Sequence, residues 1–452
     1  MAKLWDKGFK VNEKIERFTV GKDRELDLFL APYDILGTMA HITMLQSVGL
    51  MEKEELDALL AELKNIYKEA CKGNFVIDEG VEDVHSQVEL MLTAKLGDTG
   101  KKVHTGRSRN DQVMLDVKLF TRARIEQVAG LVGKLFDTLT TASEKYKGKL
   151  MPGYTHMQVA MPSSFGLWLG AYAESLANDM DMLLAAWNTA NRNPLGSAAG
   201  YGSSAPLDRA LTTKLLGFED LDYNSICAQM GRGKTERAVA FALSCIAETV
   251  GKLAADCCLF NSQNFAFVTL PREMTTGSSI MPHKKNPDVF ELIRAHCNRI
   301  CSAPEEIRLL TANLTSGYFR DLQLLKEIYL PLFDELCDCL EIMDFAISGI
   351  QVKDALMEDP RYAAAYSVEE VNRMVEEGMP FRDAYRQVGE AIERGEFFTP
   401  LSDSEETLKH YTHQGSIGNL CTENIRARMN AVLDRFTFEP VNKALELLVG
   451  SA

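Results

Sequence analysis

Long stretches of the chain repeat apolar residues in alternating steps of three and four. Ile125, Val128, Val132, Leu135 and Leu139 form one stripe, and Phe165, Leu169, Tyr172, Leu176, Met180, Leu183 and Trp187 a second. Val239, Ala242, Ile246, Val250, Leu253, Cys257 and Phe260 form a third. Leu332, Leu336, Leu340, Met343 and Ile347 form the fourth, following a kink expected at Pro331. Residues three and four apart share one helix face, so each stripe predicts a long helix with a packing face. Little of the chain alternates with period two, so few strands are expected. Turn-rich segments punctuate the stripes at "KGKLMPGYTH" (147–156), "NPLGSAAGYGSSAPLDR" (193–209) and "PREMTTGSSIMPHKKNP" (271–287). The pattern predicts an all-α protein in three parts. These are a charged N-terminal helical region over 1–104, a long-helix bundle over 105–352, and shorter amphipathic helices over 353–452, broken by Pro360 and Pro380.

Composition narrows the class. With 452 residues, 46% of them hydrophobic, the chain can bury a large core. A net charge of −15 lacks the basic footprint of a general nucleic-acid binder. The 10 cysteines show no CxxC or zinc-ribbon spacing, so reduced thiols in a cytoplasmic protein are expected. "MAKLWDKGFKVNEKIERF" lacks the apolar core of a signal peptide, and no uninterrupted apolar run approaches the roughly 18 residues of a membrane span. A soluble intracellular protein, with no membrane or nucleic-acid partner, is the expectation.

Some motifs are lookalikes. "GYGSSA" (200–205) imitates a dinucleotide turn, but no strand pattern precedes it and Pro206 follows. "GKT" (233–235) has Ala228 where a phosphate loop needs its first glycine. His410 and His413 have no third ligand nearby and read as surface histidines.

Four segments concentrate polar chemistry: "EDVHS" (82–86), "HTGRSRNDQ" (104–112), "GYTHMQ" (153–158) and "GSSIMPHKKNP" (277–287). Each has a structural reading. Asp83 and His85 fit a surface turn, Ser108 or Asn110 a helix cap, Thr155-His156 another cap, and Lys284-Lys285 a solvated face. Together they suggest more. Arg107, Arg109, Lys284 and Lys285 beside hydroxyl and amide donors suit a polycarboxylate ligand, and an acidic protein needs such a local inversion of field to attract one. Helices of 25 to 35 residues are ~40–50 Å long. If consecutive ones run antiparallel, segments 153–158 and 271–287 share one end and "HTGRSRND" lies at the other. A homo-oligomer with antiparallel bundles would reunite them, so sites shared between subunits are expected.

These residues resemble a known family. "GSSIMPHKKNP" is similar to the signature of the fumarase/aspartase superfamily. "HTGRSRNDQV", "PGYTHMQ", "KLWDKGF", "EDVHS", "SGYFRDLQLLKE" (316–327) and "GMPFRDAY" (378–385) resemble its argininosuccinate lyase branch. The resemblance spans nearly the whole chain. It implies a three-domain helical fold, a homotetramer, no metal or organic cofactor, and reversible anti elimination of argininosuccinate to arginine and fumarate, the last step of arginine biosynthesis. Carried over by position, Ser278 matches the general base, with Ser279 as its rival. Lys284 and Asn286 match groups that stabilise the aci-carboxylate intermediate. His156 matches a histidine on the acid side, and Glu291 its carboxylate partner. Ser108, Arg109, Asn110 and Thr155 match substrate contacts. Tyr318, Gln323 and Lys326 match the binding of the arginine-derived part, and Asp83 and His85 a pair near the site. Departures from the family pattern are Asp6-Lys7-Gly8 for Gly-Gly-Arg, His283 for Gln (as in adenylosuccinate lyase), Ala238 for Asp, and the 196–209 loop. The rivals are a sister fumarate-releasing lyase and a non-catalytic protein on the same scaffold, as in lens crystallins.

Overall fold

The computed structural model describes residues 12–399 and 404–450; Asp6-Lys7-Gly8 and the "KLWDKGF" motif lie outside them. The N-terminal part contains α1 (Ala31–Ser47), α2 (Lys53–Cys71) and α3 (Val84–Leu96). The bundle is α4 (Arg109–Lys145), α5 (Phe165–Ala190), α6 (Lys234–Asn261), α7 (Asp288–Leu310) and α8 (Leu325–Gly349). The C-terminal part carries α9 (Ser367–Glu376), α10 (Phe381–Glu393), α11 (Thr422–Leu433) and α12 (Phe438–Gly450).

The stripes fold as their periodicity predicts. Ile125, Val128, Val132, Leu135 and Leu139 of α4 are buried with Phe165, Leu169 and Leu176 of α5, Val239, Ile246 and Val250 of α6, and Leu336 and Leu340 of α8 in one core. Part of α6 is apolar enough to cross a membrane by composition, but it packs against α5, α7 and α8 as a core helix. A second core joins α1, α2 and α3 to Leu115 and Leu119 on the first turns of α4. The α11 helix lies on α5, and its Ile425, Met429 and Val432 enter the bundle core. Val371, Ala384 and Val388 of α9 and α10 make a small core of their own.

Pro331, where a kink was expected, lies inside α8, which starts at Leu325. Burial of Tyr329, Leu330 and Phe333 around it outweighs the one backbone hydrogen bond that proline removes.

Helix directions follow from a few contacts. At one end, which we call the near end, Arg122 Nη1 donates to Asn191 Oδ1 (3.0 Å) and Arg232 Nη2 to the Leu322 carbonyl (3.1 Å). At the far end, Ser143 Oγ donates to the Gly166 carbonyl (2.7 Å), Tyr146 Oη to the Ile350 carbonyl (3.2 Å), and Lys353 N to the Phe267 carbonyl (2.8 Å). Thus α4, α6 and α8 run from near to far, and α5 and α7 return. The core is tied to the C-terminal part by Trp187, 1% exposed, whose ring meets Phe436 and Phe438 and whose Nε1 donates to Thr437 Oγ1 (3.1 Å). Trp187→Ala is expected to destabilise the protein by about 3–5 kcal/mol and to expose the 433–438 turn to protease. Thermal unfolding and limited proteolysis check this, and an unchanged melting temperature would refute it.

Candidate active site

The near end is built by helix starts. Ser108 caps α4: its Oγ accepts the Asn110 N–H (3.2 Å), while the Asp111 carboxylate accepts the Ser108 N–H (2.9 Å). The other Asp111 oxygen accepts the Gly196 and Ala198 N–H groups (3.0 and 2.8 Å), which pins the 193–209 loop against α4. Asp83 is the N-cap of α3, not a surface turn. Its Oδ1 accepts from Ser86 N (2.8 Å) and Ser86 Oγ (2.6 Å), and the residue is buried.

These starts surround a cavity of about 160 Å³. Asp83, His85, Arg109, Asn110, Tyr318, Gln323 and Lys326 all line it, so seven predicted residues from three separate segments converge there. Asp23, Asp27, Glu82, Arg232 and Arg320 also line it and were missed by sequence reasoning. Asp23 and Asp27 had a legible signal, since an i, i+4 pair of carboxylates shares one helical face. A larger cavity of about 740 Å³ between α6 and α7 shares Arg232 but holds none of the predicted residues.

The charges of the near cavity are matched. Lys326 Nζ lies 2.7 Å from Asp23 Oδ1 and 2.6 Å from Asp27 Oδ1. Burial pulls the Lys326 ammonium down, but the two carboxylates outweigh it and raise its pKa. Asp23 is pushed up to about 6, mainly by burial, against the opposing pull of Lys326. Arg109 meets Glu82 Oε2 (3.2 Å) and Asp83 Oδ2 (3.4 Å), and Arg320 Nη2 donates to Glu82 Oε1 (2.8 Å). Burial also raises the Asp83 carboxyl, yet His85 and Arg109 hold it below the usual range. Arg107 corrects the expectation of a ligand-facing cation. Its guanidinium turns inward to Thr38 Oγ1 (3.0 Å) and the Val103 carbonyl (2.8 Å). The expected field inversion is therefore not in this cavity. Asp34, His85 and Asp116 have the donor types of a metal centre. However, the 2.6 Å between His85 Nδ1 and Asp34 Oδ1 is a proton-carrying hydrogen bond, and Arg107 supplies a cation beside both carboxylates.

Lys326→Met would leave Asp23 and Asp27 buried without their cation, a loss of about 3–5 kcal/mol. The sign with pH is fixed: a carboxyl already raised to about 6 takes up a proton as pH falls, so the variant's deficit shrinks toward pH 5. Melting temperatures of both proteins at pH 5 and pH 8 test this; a deficit independent of pH would refute it.

The far end presents the rest. Strands β1 (Leu150–Thr155) and β2 (Gln158–Ser164) form an antiparallel hairpin in place of the expected cap. Thr155 pairs with Gln158, and His156 and Met157 fill the two-residue turn with φ of 53° and 60°. That turn favours Asn-Gly, so the His-Met tip stores backbone strain of about 1–3 kcal/mol, and it leaves His156 exposed. The 271–287 loop is clasped by an antiparallel bridge between Thr276 and Asn286. Within it, Ser278 Oγ accepts the N–H groups of Met281 (3.0 Å) and Ile280 (3.3 Å). Ser279 receives no such pair among the described residues. Lys284 and Lys285 are exposed, and no described carboxylate lies within ion-pair range of either. Glu291 is exposed on the first turn of α7, and no hydrogen bond joins it to His156 within the chain.

The two groups are far apart. Lys326 starts α8, while Gly349 ends it so close to the 271–274 segment that a Cβ there would meet Met274 Cε at 2.6 Å. The intervening helix separates the two ends by roughly 35 Å.

Comparison with known proteins adds to this geometry. The chain matches the lyase family model (Lyase_1) over residues 10–302. It is 61% identical over 448 residues to argininosuccinate lyase of Bacteroides thetaiotaomicron, covering 99% of each chain. It is 39% identical over 392 residues to that of Thermotoga neapolitana, covering 87% of this chain and 98% of the relative. Among solved structures, an EDDS lyase variant with bound fumarate superposes with a TM-score of 0.77 at 21% identity, covering 98% of this chain and 95% of that one. A class II fumarase from Schistosoma mansoni has a TM-score of 0.64 at 16% identity, covering 84% and 91%. The long-helix fold is thus that of the fumarase/aspartase superfamily, and over its full length the chain belongs to the argininosuccinate lyase family of that superfamily.

Proposed function

We propose that the protein catalyses the reversible anti elimination of L-argininosuccinate to L-arginine and fumarate, the last step of arginine biosynthesis in the cytoplasm, without metal or organic cofactor. Ser278 Oγ removes the proton from the carbon beside the succinyl carboxylate, and that electron pair moves into the carboxylate as an aci-carboxylate. The C–N bond then breaks, its electrons leave with the guanidino nitrogen, which takes up a proton, and the carbon skeleton departs as fumarate. A serine is a weak base unless its alkoxide is stabilised. The Ile280 and Met281 N–H groups aimed at Ser278 Oγ supply such a cradle. Lys284 and Asn286 stabilise the dianion, where one preorganised donor is typically worth ~3–4 kcal/mol. His156, with Glu291 as its carboxylate partner, serves the proton side of the leaving nitrogen.

The near cavity binds the arginine-derived part through Arg109, Asn110, Tyr318, Gln323 and Lys326, with Ser108 shaping its rim and Asp83 and His85 its floor. Thr155 contacts substrate from the far end. The observation that carries this reading is the split itself. The near cavity is charge-matched, its carboxylates tied to Lys326, Arg109 and Arg320, while the far end offers Ser278, a histidine and exposed lysines with no ion-pair partner among the described residues. A homotetramer of antiparallel subunits brings the near end of one subunit to the far ends of others, so each active site is shared. It also puts the missing positive field, Lys284 and Lys285, where the polycarboxylate arrives. Fumarate release, followed by ultraviolet absorbance with argininosuccinate and with adenylosuccinate, tests the reaction. Turnover of the second substrate alone would replace this reading with the sister activity.

A further inference from the structure

We propose that Asp34, backed by Asp116, is a positioning residue for this reaction: it fixes the His85 ring through Nδ1 and keeps it an imidazolium, whose Nε2–H faces a substrate carboxylate as a standing cationic donor. The inference rests on the reading of the near cavity as the site for the arginine-derived part.

Three helices meet at this point. Asp34 lies on α1, His85 is the second residue of α3, and Asp116 lies on α4. Gly37 permits the approach, because a Cβ there would sit 2.6 Å from Leu115 Cδ2 and 3.8 Å from Asp116 Oδ1. His85 Nδ1 is 2.6 Å from Asp34 Oδ1 and 3.6 Å from Asp116 Oδ2. All three residues are buried, yet His85 lines the cavity. With Nδ1 committed to Asp34, Nε2 is the nitrogen left for that cavity.

The acceptor capacity here exceeds what ring orientation needs. One carboxylate oxygen would fix the tautomer, but two carboxylates face the ring, and Asp34 Oδ2 and Asp116 Oδ2 are both buried without a hydrogen-bond partner. The start of a helix is also the wrong place for a cation, since its N–H groups point positive charge at the ring. The local charges decide the state. Asp34, Asp116 and Asp83 face the ring, and Asp27 lies close behind; Arg107, Arg109 and His104 oppose them. Burial alone would neutralise His85, but Asp34 and then Asp116 override it and raise its pKa to about 9. The neighbouring His104 shows the contrast: burial and the two arginines lower it to about 4. Asp116 is raised above the usual carboxylate range by burial and by Asp34, while His85 and Arg107 pull it back.

Two measurements on the full-length enzyme test this. In histidine-labelled wild type, the His85 NMR signal, assigned by its loss in His85→Gln, is expected to keep imidazolium shifts through pH 8. Titration near pH 6.5 would overturn the proposal. In Asp34→Asn, the ring regains an ordinary histidine pKa, so kcat/KM relative to wild type is expected to fall about tenfold or more between pH 6 and pH 8, mostly through KM. A ratio that is flat with pH would also overturn it, because a purely structural deficit does not follow the titration of one ring. If Asp34→Asn does not fold, the wild-type NMR arm decides. A wild type that folds but never turns over argininosuccinate removes the proposed function, and the NMR arm then judges the Asp34–His85 pair alone.

Discussion

Ser278→Ala is expected to lower argininosuccinate-dependent fumarate release by about a thousandfold or more, in line with the loss of a general base. Ser279→Ala should stay within about tenfold of wild type. The two serines are adjacent, the family resemblance favours Ser278, and the structure separates their surroundings. Ser278 Oγ receives the Met281 and Ile280 N–H groups, which stabilise a developing alkoxide, while Ser279 has no such pair among the described residues. Neither change touches the core, because the loop is exposed and clasped by the backbone of Thr276 and Asn286. Circular dichroism and oligomeric state should therefore be unchanged in both variants. If Ser279→Ala is the silent enzyme and Ser278→Ala the active one, the assignment reverses.

The second large effect is a gain. Arg109→Met damages the near end and Ser278→Ala the far end, so each variant alone should be close to inactive. Refolded together, they form mixed oligomers in which some sites draw both segments from undamaged positions. Random mixing of two kinds of subunit leaves up to about a quarter of the sites intact. The roughly 35 Å of helix between Lys326 and the far loop forbids a complete site within one chain. Recovery from near zero to a substantial fraction of wild-type activity is thus the expected outcome. Mixtures that stay as inactive as their parents, while forming hetero-oligomers by mass spectrometry, would show that each chain carries its own whole site.

Much of the candidate site was legible in residues. Ser108 as a helix cap, the convergence of Arg109 with Tyr318 and Lys326, and the exposed His410 and His413 follow the sequence reading. What failed to read were contacts set by partners far away in the chain. Arg107 and Arg109 are indistinguishable as letters, yet one turns to Thr38 in the core and the other to Glu82 at the cavity. The hairpin at 150–164 was missed because its turn residues, His156 and Met157, are poor formers of a turn with positive φ. Nothing in the sequence marked Asp34 and Asp116, whose meeting with His85 depends on α1, α3 and α4 packing together.

The helices, their apolar faces and the turns between them were readable from the residues alone, because period, capping and proline placement are local properties of the backbone. The sequence also carried the types of residue that the chemistry needs. Which charges neutralise each other, which serine oxygen sits under two N–H groups, and which acids surround His85 were settled by the packing of distant segments. Those outcomes depend on distances of a few ångströms between segments tens or hundreds of residues apart, and Coulomb and hydrogen-bond energies change steeply over such distances.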